Sequence, residues 1–363
     1  MRSFPALVPG LAVLAFFLPV FALADGHEKA TFHPAVPQAD CPSIESETLG
    51  DFMKMVRAPS AWRSIDVRGF RMGLVDSPAD VLYLAGYSEG DLKRAGLKFE
   101  ACRGLPDVFR VEEAKRFSQG PRQIETENYH LFLPDRWIPL FDKKSEAKLV
   151  SQTGLPLAVF DRAALEKLPD SPFKRLILSP DGNAHVVLHE LFHAYQSRFE
   201  SPGTPDDVSL AKCRKSAEWK RKLSEELADW ESLVGRIANE PKEKLRLVAR
   251  QILRRRASAD PSVQACWRLV EAQEWSEGMP TYFATAASKR AGLDRMADPR
   301  FLYENRKLSI DNPELFDDGR EFFYLTGSLM GQLLDRLNGN LSWQTDLEKG
   351  TPPARLLERA VGD

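Results

Sequence analysis

The chain has 363 residues, 43% hydrophobic and 28% charged, a profile that fits a folded globular protein and excludes a disordered or fibrous one. Lys and Arg number 50 against 52 Asp and Glu, a net charge of −2, so no global basic field invites nucleic acid. The one basic run, Arg254-Arg255-Arg256, lies among acidic residues and reads as a solvated helix face.

Residues 1–24 carry one basic residue, Arg2, then an apolar run ending in Ala22-Leu23-Ala24. Small residues at that spacing predict a secretory signal cleaved after Ala24. Pro9-Gly10 and Pro19 interrupt the run, which argues against a membrane anchor. The expectation is an exported chain, periplasmic or secreted, with no membrane span once the signal is removed. Cys41, Cys102, Cys213 and Cys266 include no CxxC pair, and in an oxidising compartment they form two disulfides. Three connectivities are open; Cys41 with Cys102 and Cys213 with Cys266 is the first choice.

Residues 25–48 are Pro-rich and read as an extended lead-in to one domain over 49–363. From about 50 to 180 the pattern is mixed. β-like runs (VLYLAGY, YHLFLPDRWIPLF, LPLAVFD) alternate with helical pieces around 91–97 and 162–168. RLILSPDGNA then supplies a last strand and a turn, with Asp181 or Asn183 to cap the next helix. That helix, about 183–199, carries HVVLHELFHAYQ. Beyond it the chain reads as almost wholly helical. A charged pair of helices spans about 205–260, with Leu223, Leu227, Trp230, Val234 and Ile237 on one stripe. A helical part fills 261–363. The fold class is therefore α+β, helix-rich.

HVVLHELFHAYQ is an apolar helix that buries groups resisting burial. His185, His189 and His193 fall at four-residue steps on one face, with Glu190 on its flank. A buried carboxylate without a partner costs several kcal/mol, and a divalent metal satisfies it. His189-Glu190-Leu191-Phe192-His193 is the H-E-x-x-H pattern. Its spacing brings two imidazoles to one zinc, with Glu190 as general base beside the water that zinc activates. His185 matches no motif position and reads as a helix-start or supporting residue.

No histidine follows His193, so a carboxylate completes the site. Glu274-Trp275-Ser276-Glu277-Gly278-Met279-Pro280-Thr281-Tyr282 resembles the E-G-x-A-x-Y signature of the glutamate-ligand zincins (gluzincins), with Pro280 in the usual alanine position. Tyr324-Leu325-Thr326-Gly327 is similar to the Y-x-K-G helix of gluzincin aminopeptidases, with Thr326 for the customary lysine. The resemblance spans about 180–340. It implies a zincin-like domain: a small sheet with the active-site helix beneath it, a helical insertion between the ligands, and a helical C-terminal half. It implies one zinc per chain held by His189, His193 and Glu277, Glu190 as base, Tyr324 steadying the oxyanion, and a peptide or protein substrate. Glycine after Glu277 would let that backbone pack against the motif helix. Glu274, one turn earlier, and Asp206, in a partial G-T-x-D motif, are the alternative third ligands. The rival functions are a catalytically silent zinc- or partner-binding protein of the same fold, and a zinc hydrolase of a non-peptide amide or ester.

Overall fold

The computed structural model describes residues 37–76, 81–95, 97–112, 129–131, 157–161, 166, 172–196, 198–203, 207–213, 215–257, 260–298, 300 and 320–362. The signal, the lead-in up to residue 36, the helical piece at 162–168 apart from Glu166, and Asp206 lie outside these.

The N-terminal half supplies one mixed sheet. Its strands are β1 (Gln38–Ala39), β2 (Arg71–Asp76), β3 (Val81–Ala85), β4 (Phe99–Cys102), β5 (Val108–Glu112), β6 (Tyr129–Leu131) and β7 (Leu157–Asp161). They run in the order β1-β4-β5-β3-β2-β7-β6, and all but β1 and β6 have four residues or more. β2 lies between β3, antiparallel, and β7, parallel, pairing Leu74 with Tyr83 and with Phe160. Every residue of Val81–Ala85 is buried. Successive side chains point to opposite faces, so the sheet is covered on both sides at this strand. That is why VLYLA is an unbroken apolar run rather than an alternating one.

Helix α1 (Ser43–Arg57) begins inside the stretch expected to be extended as far as residue 48. Its start, Ser-Ile-Glu-Ser-Glu, is polar enough to pass for loop. Leu49, Phe52, Met53 and Val56 nevertheless recur at helical spacing and are all buried. A short helix, α2 (Glu89–Ala95), follows β3, as the sequence predicts. The strand expected in RLILS is not formed. Helix α3 (Pro172–Ile177) takes the first three of these residues, with Leu176 and Ile177 buried. Four apolar-rich residues fit a strand or a helix equally by period. The choice is made by proline at the first helical position and by a tight exit. The Ser179 hydroxyl donates to the Leu176 carbonyl, and the Asn183 amide donates to that of Ile177. Gly182 is required there, since a Cβ would lie 2.1 Å from the Leu176 oxygen.

Helix α4 (Pro180–Gln196) carries the H-E-x-x-H segment. It begins at Pro180, so Asp181 and Asn183 sit in its first turn rather than capping it from outside. α4 packs along α1 and touches β7, while α1 touches β2 and β3. The motif helix thus lies on the sheet, as expected. Downstream come α5 (Asp207–Cys213), α6 (Ala217–Leu233), α7 (Lys242–Arg256) and α8 (Pro261–Gln273). A π-helical turn (Glu274–Gly278) runs straight into α9 (Met279–Arg290). α10 (Asp294–Ala297), α11 (Arg320–Asn338), α12 (Trp343–Glu348) and α13 (Pro353–Gly362) complete the described chain. α9 packs against α4 on one side and α11 on the other. Phe192, Tyr282, Phe283 and Leu333 belong to the core that joins them.

The expected disulfides form. Cys41–Cys102 ties the segment after β1 to β4, and Cys213–Cys266 ties α5 to α8, with Cα separations of 5.6 and 5.8 Å. The second closes a loop over 53 residues. Its removal by Cys213→Ser with Cys266→Ser should lower stability by about 2–5 kcal/mol. Urea unfolding of the double variant checks this, and an unchanged midpoint would contradict it.

Candidate metal centre

α4 faces the π-turn across a gap closed by three side chains. His189 Nε2 and His193 Nε2 are 3.2 Å apart, and Glu277 Oε2 stands 3.5 Å from each. Three ligand atoms about 2.0–2.1 Å from a tetrahedral zinc lie about 3.4 Å from one another. The triangle already has that size. Glu190 joins the two histidines in a group whose ligand atoms all fall within 4.8 Å, as a set able to hold a metal ion. His189 is buried, whereas His193 and Glu277 are half-buried, so the cluster opens to solvent on one side.

The rings are aimed by partners that sequence reasoning missed. The Thr281 hydroxyl donates to the Glu277 carbonyl at 3.0 Å, so it accepts from His189 Nδ1 at 3.2 Å. The Gln196 amide donates to the Trp275 carbonyl at 2.6 Å, which turns Oε1 toward His193 Nδ1 at 3.0 Å. In its neutral form each ring would carry its hydrogen on Nδ1, which turns the Nε2 lone pair inward to where a cation between the two rings and Glu277 would bind. Such outer partners fix tautomer and ring angle in metal sites. A signal existed for both residues. Gln196 is the next turn of the His193 face, and Thr281 is one turn beyond Glu277.

The electrostatics favour a cation. Burial pushes the Glu277 carboxyl up, but hydrogen bonds and charge from His189 and His193 hold it well below the usual range. Burial pulls His193 down, yet Glu277, Glu190 and Gln196 raise it to about 9.

Glu274 is directed elsewhere. Its carboxylate is fully buried and takes two hydrogen bonds from Arg256, each 2.7 Å, and one from Thr326. Glu274, one turn before Glu277, would share its face in an α-helix, but a π-turn bonds residue i+5 to i, here the Met279 N–H to the Glu274 carbonyl. Residues three apart then no longer align. The same contacts correct the reading of Arg254–Arg256 as a solvated face, because Arg256 is buried. Gly278 does need to be glycine, but its close neighbour is α11 rather than α4. A Cβ there would stand 2.5 Å from Gly327 Cα.

Tyr324, on α11, is half-buried with its ring 5.4 Å from that of His189. It therefore stands beside the cluster. His185 is buried one turn before His189 and meets Ser288 of α9 at 3.5 Å, outside the metal-capable group. No protein-family model, curated protein or solved structure matches this chain.

Proposed function

We propose that this chain is a zinc-dependent peptidase of the gluzincin type, exported to an oxidising compartment. The observation that carries the reading is the triangle of His189, His193 and Glu277, with both rings held so that Nε2 faces inward. Two imidazoles and one carboxylate suit zinc, whereas magnesium and calcium take six or more oxygens. When bound, zinc supplies a Lewis acid that makes water acidic near neutral pH and polarises a carbonyl.

The chain's own residues supply the remaining steps. Glu190 lies beside both histidines and accepts the proton as the water oxygen bonds to the carbonyl carbon. It passes that proton to the amide nitrogen as the C–N bond breaks, so that amine and acid leave. Tyr324 donates its hydroxyl to the oxygen on which negative charge develops. Thr281 and Gln196 hold the rings in register throughout. A silent zinc protein has no use for Glu190 at that place. The two disulfides fit export, and among the described residues no helix is long and apolar enough to cross a membrane.

The purified protein should contain one zinc per chain by elemental analysis, and His189→Ala should contain well under half an equivalent. A panel of quenched peptides should then be cleaved in a chelator-sensitive way. A zinc-loaded protein that leaves every peptide intact but hydrolyses non-peptide esters or amides would replace the peptidase reading. No turnover at all favours the silent one.

A further inference from the structure

Arg256 closes α7, the second helix of the pair that reads as an insertion, yet it is 4% exposed and its side chain meets three other elements. Its guanidinium grips Glu274 two-handed at 2.7 Å and 2.7 Å, takes Glu226 of α6 through Nε at 2.9 Å, and lies 4.9 Å above the Trp267 ring of α8. Thr326 of α11 donates to the same Glu274 carboxylate. Glu274 opens the π-turn and Gly278 ends it, and both ends are fixed. At the far end Gly278 lies on Gly327, and a Cβ on Gly327 would itself stand 2.7 Å from the Glu274 carbonyl oxygen. Between these two anchors lies Glu277.

The physical question is what sets the wide turn. A π-turn is an uncommon state of the helix, found mostly as a single turn at functional sites, and something outside the helix must favour it. Solvation contributes little to a fully buried Glu274, so the direction of its carboxylate follows the bidentate fork of Arg256. That fork is planar and fixed, unlike the point charge of a lysine. If Glu274 rotates, the turn can relax toward α-helical winding and swing Glu277 away from the two histidines.

We infer that Arg256 is a positioning residue for the metal centre, acting through Glu274 and the π-turn to hold Glu277 against His189 and His193. The helical pair is then part of the site's frame rather than an appendage. This inference rests on the zinc reading above, and it concerns affinity and geometry rather than chemistry.

The test compares Arg256→Lys and Glu274→Gln with Arg255→Met. Arg255 sits next to Arg256 and joins α7 to α6 through Glu225 and Asp229, without touching Glu274. Zinc affinity is measured by competition with a chromophoric chelator, ligand geometry by the visible spectrum of the cobalt-substituted protein, and folding by circular dichroism. Arg256→Lys and Glu274→Gln should each weaken zinc by about tenfold or more and shift the cobalt spectrum. Arg255→Met should lower the melting temperature and change neither. Two variants guard against one failing to fold. Unchanged zinc affinity and cobalt spectrum in a folded Arg256→Lys or Glu274→Gln protein overturns the inference while the metal site stands. So does an equal loss of affinity in Arg255→Met, which would mark a general effect of stability. A wild-type chain that binds no zinc overturns the site itself, and the inference with it.

Discussion

Glu190→Gln should leave the zinc in place and lower peptide hydrolysis by roughly 10²- to 10⁴-fold, the range for loss of a positioned general base. The amide is nearly isosteric with the carboxylate, so α4 keeps its packing on α1 and α9, and the triangle of His189, His193 and Glu277 is untouched. On the proposed mechanism, what the variant should lose is the capacity to take a proton from water and return it to the leaving nitrogen. Single-turnover cleavage of a peptide substrate, with zinc content determined on the same sample, separates the two effects. Full activity in the zinc-loaded variant would remove Glu190 from the mechanism. A variant that arrives without zinc would instead make it a ligand.

The second large effect separates the two neighbouring glutamates. Glu277→Ala removes one vertex of the triangle and should weaken zinc by more than about 100-fold, beyond the loss typical of an outer partner. Its fold should survive, but the added stability that zinc confers through linkage should disappear. Glu274→Ala should behave differently. It leaves the Arg256 guanidinium buried with half its partners gone, and breaking a buried ion network of this kind costs about 3–5 kcal/mol. Melting temperatures with and without zinc check both variants. The outcome that would sink the ligand assignment is a Glu277→Ala protein whose melting point still rises on adding zinc while that of Glu274→Ala does not.

In acid the cluster should lose its metal, because protons and zinc compete for the same nitrogens and carboxylate. The environment that draws His193 up and Glu277 down is one that collects positive charge. That preference belongs to the arrangement rather than to any single residue, and it has no counterpart in the order of letters along the chain.

Periodicity and chemical type were enough to reveal some of this protein. His189, Glu190 and His193 are separated by fixed steps of one helix, and helical geometry alone puts them together. The apolar run VLYLA, the long helices after residue 215 and the stop at Gly292 are likewise local properties, fixed by side-chain period and backbone freedom. The pairing of the four cysteines was one of three open choices in the sequence, and the fold closes the first of them. Tertiary structure alone decided what depends on residues far apart meeting. It put Glu277 rather than Glu274 on the histidines, because a π-turn held by Arg256 and Gly327 departs from the 3.6-residue period. It made helix of Arg175–Ile177 and of the residues from Ser43 on, where short or polar-led patterns fit two states and packing selects one. It buried Arg256, which a reading of charge runs leaves in solvent, because two carboxylates and an indole ring from three other elements converge on it. A charge run records composition along the chain, whereas burial is set by which partners the fold brings within about 3 Å of each group.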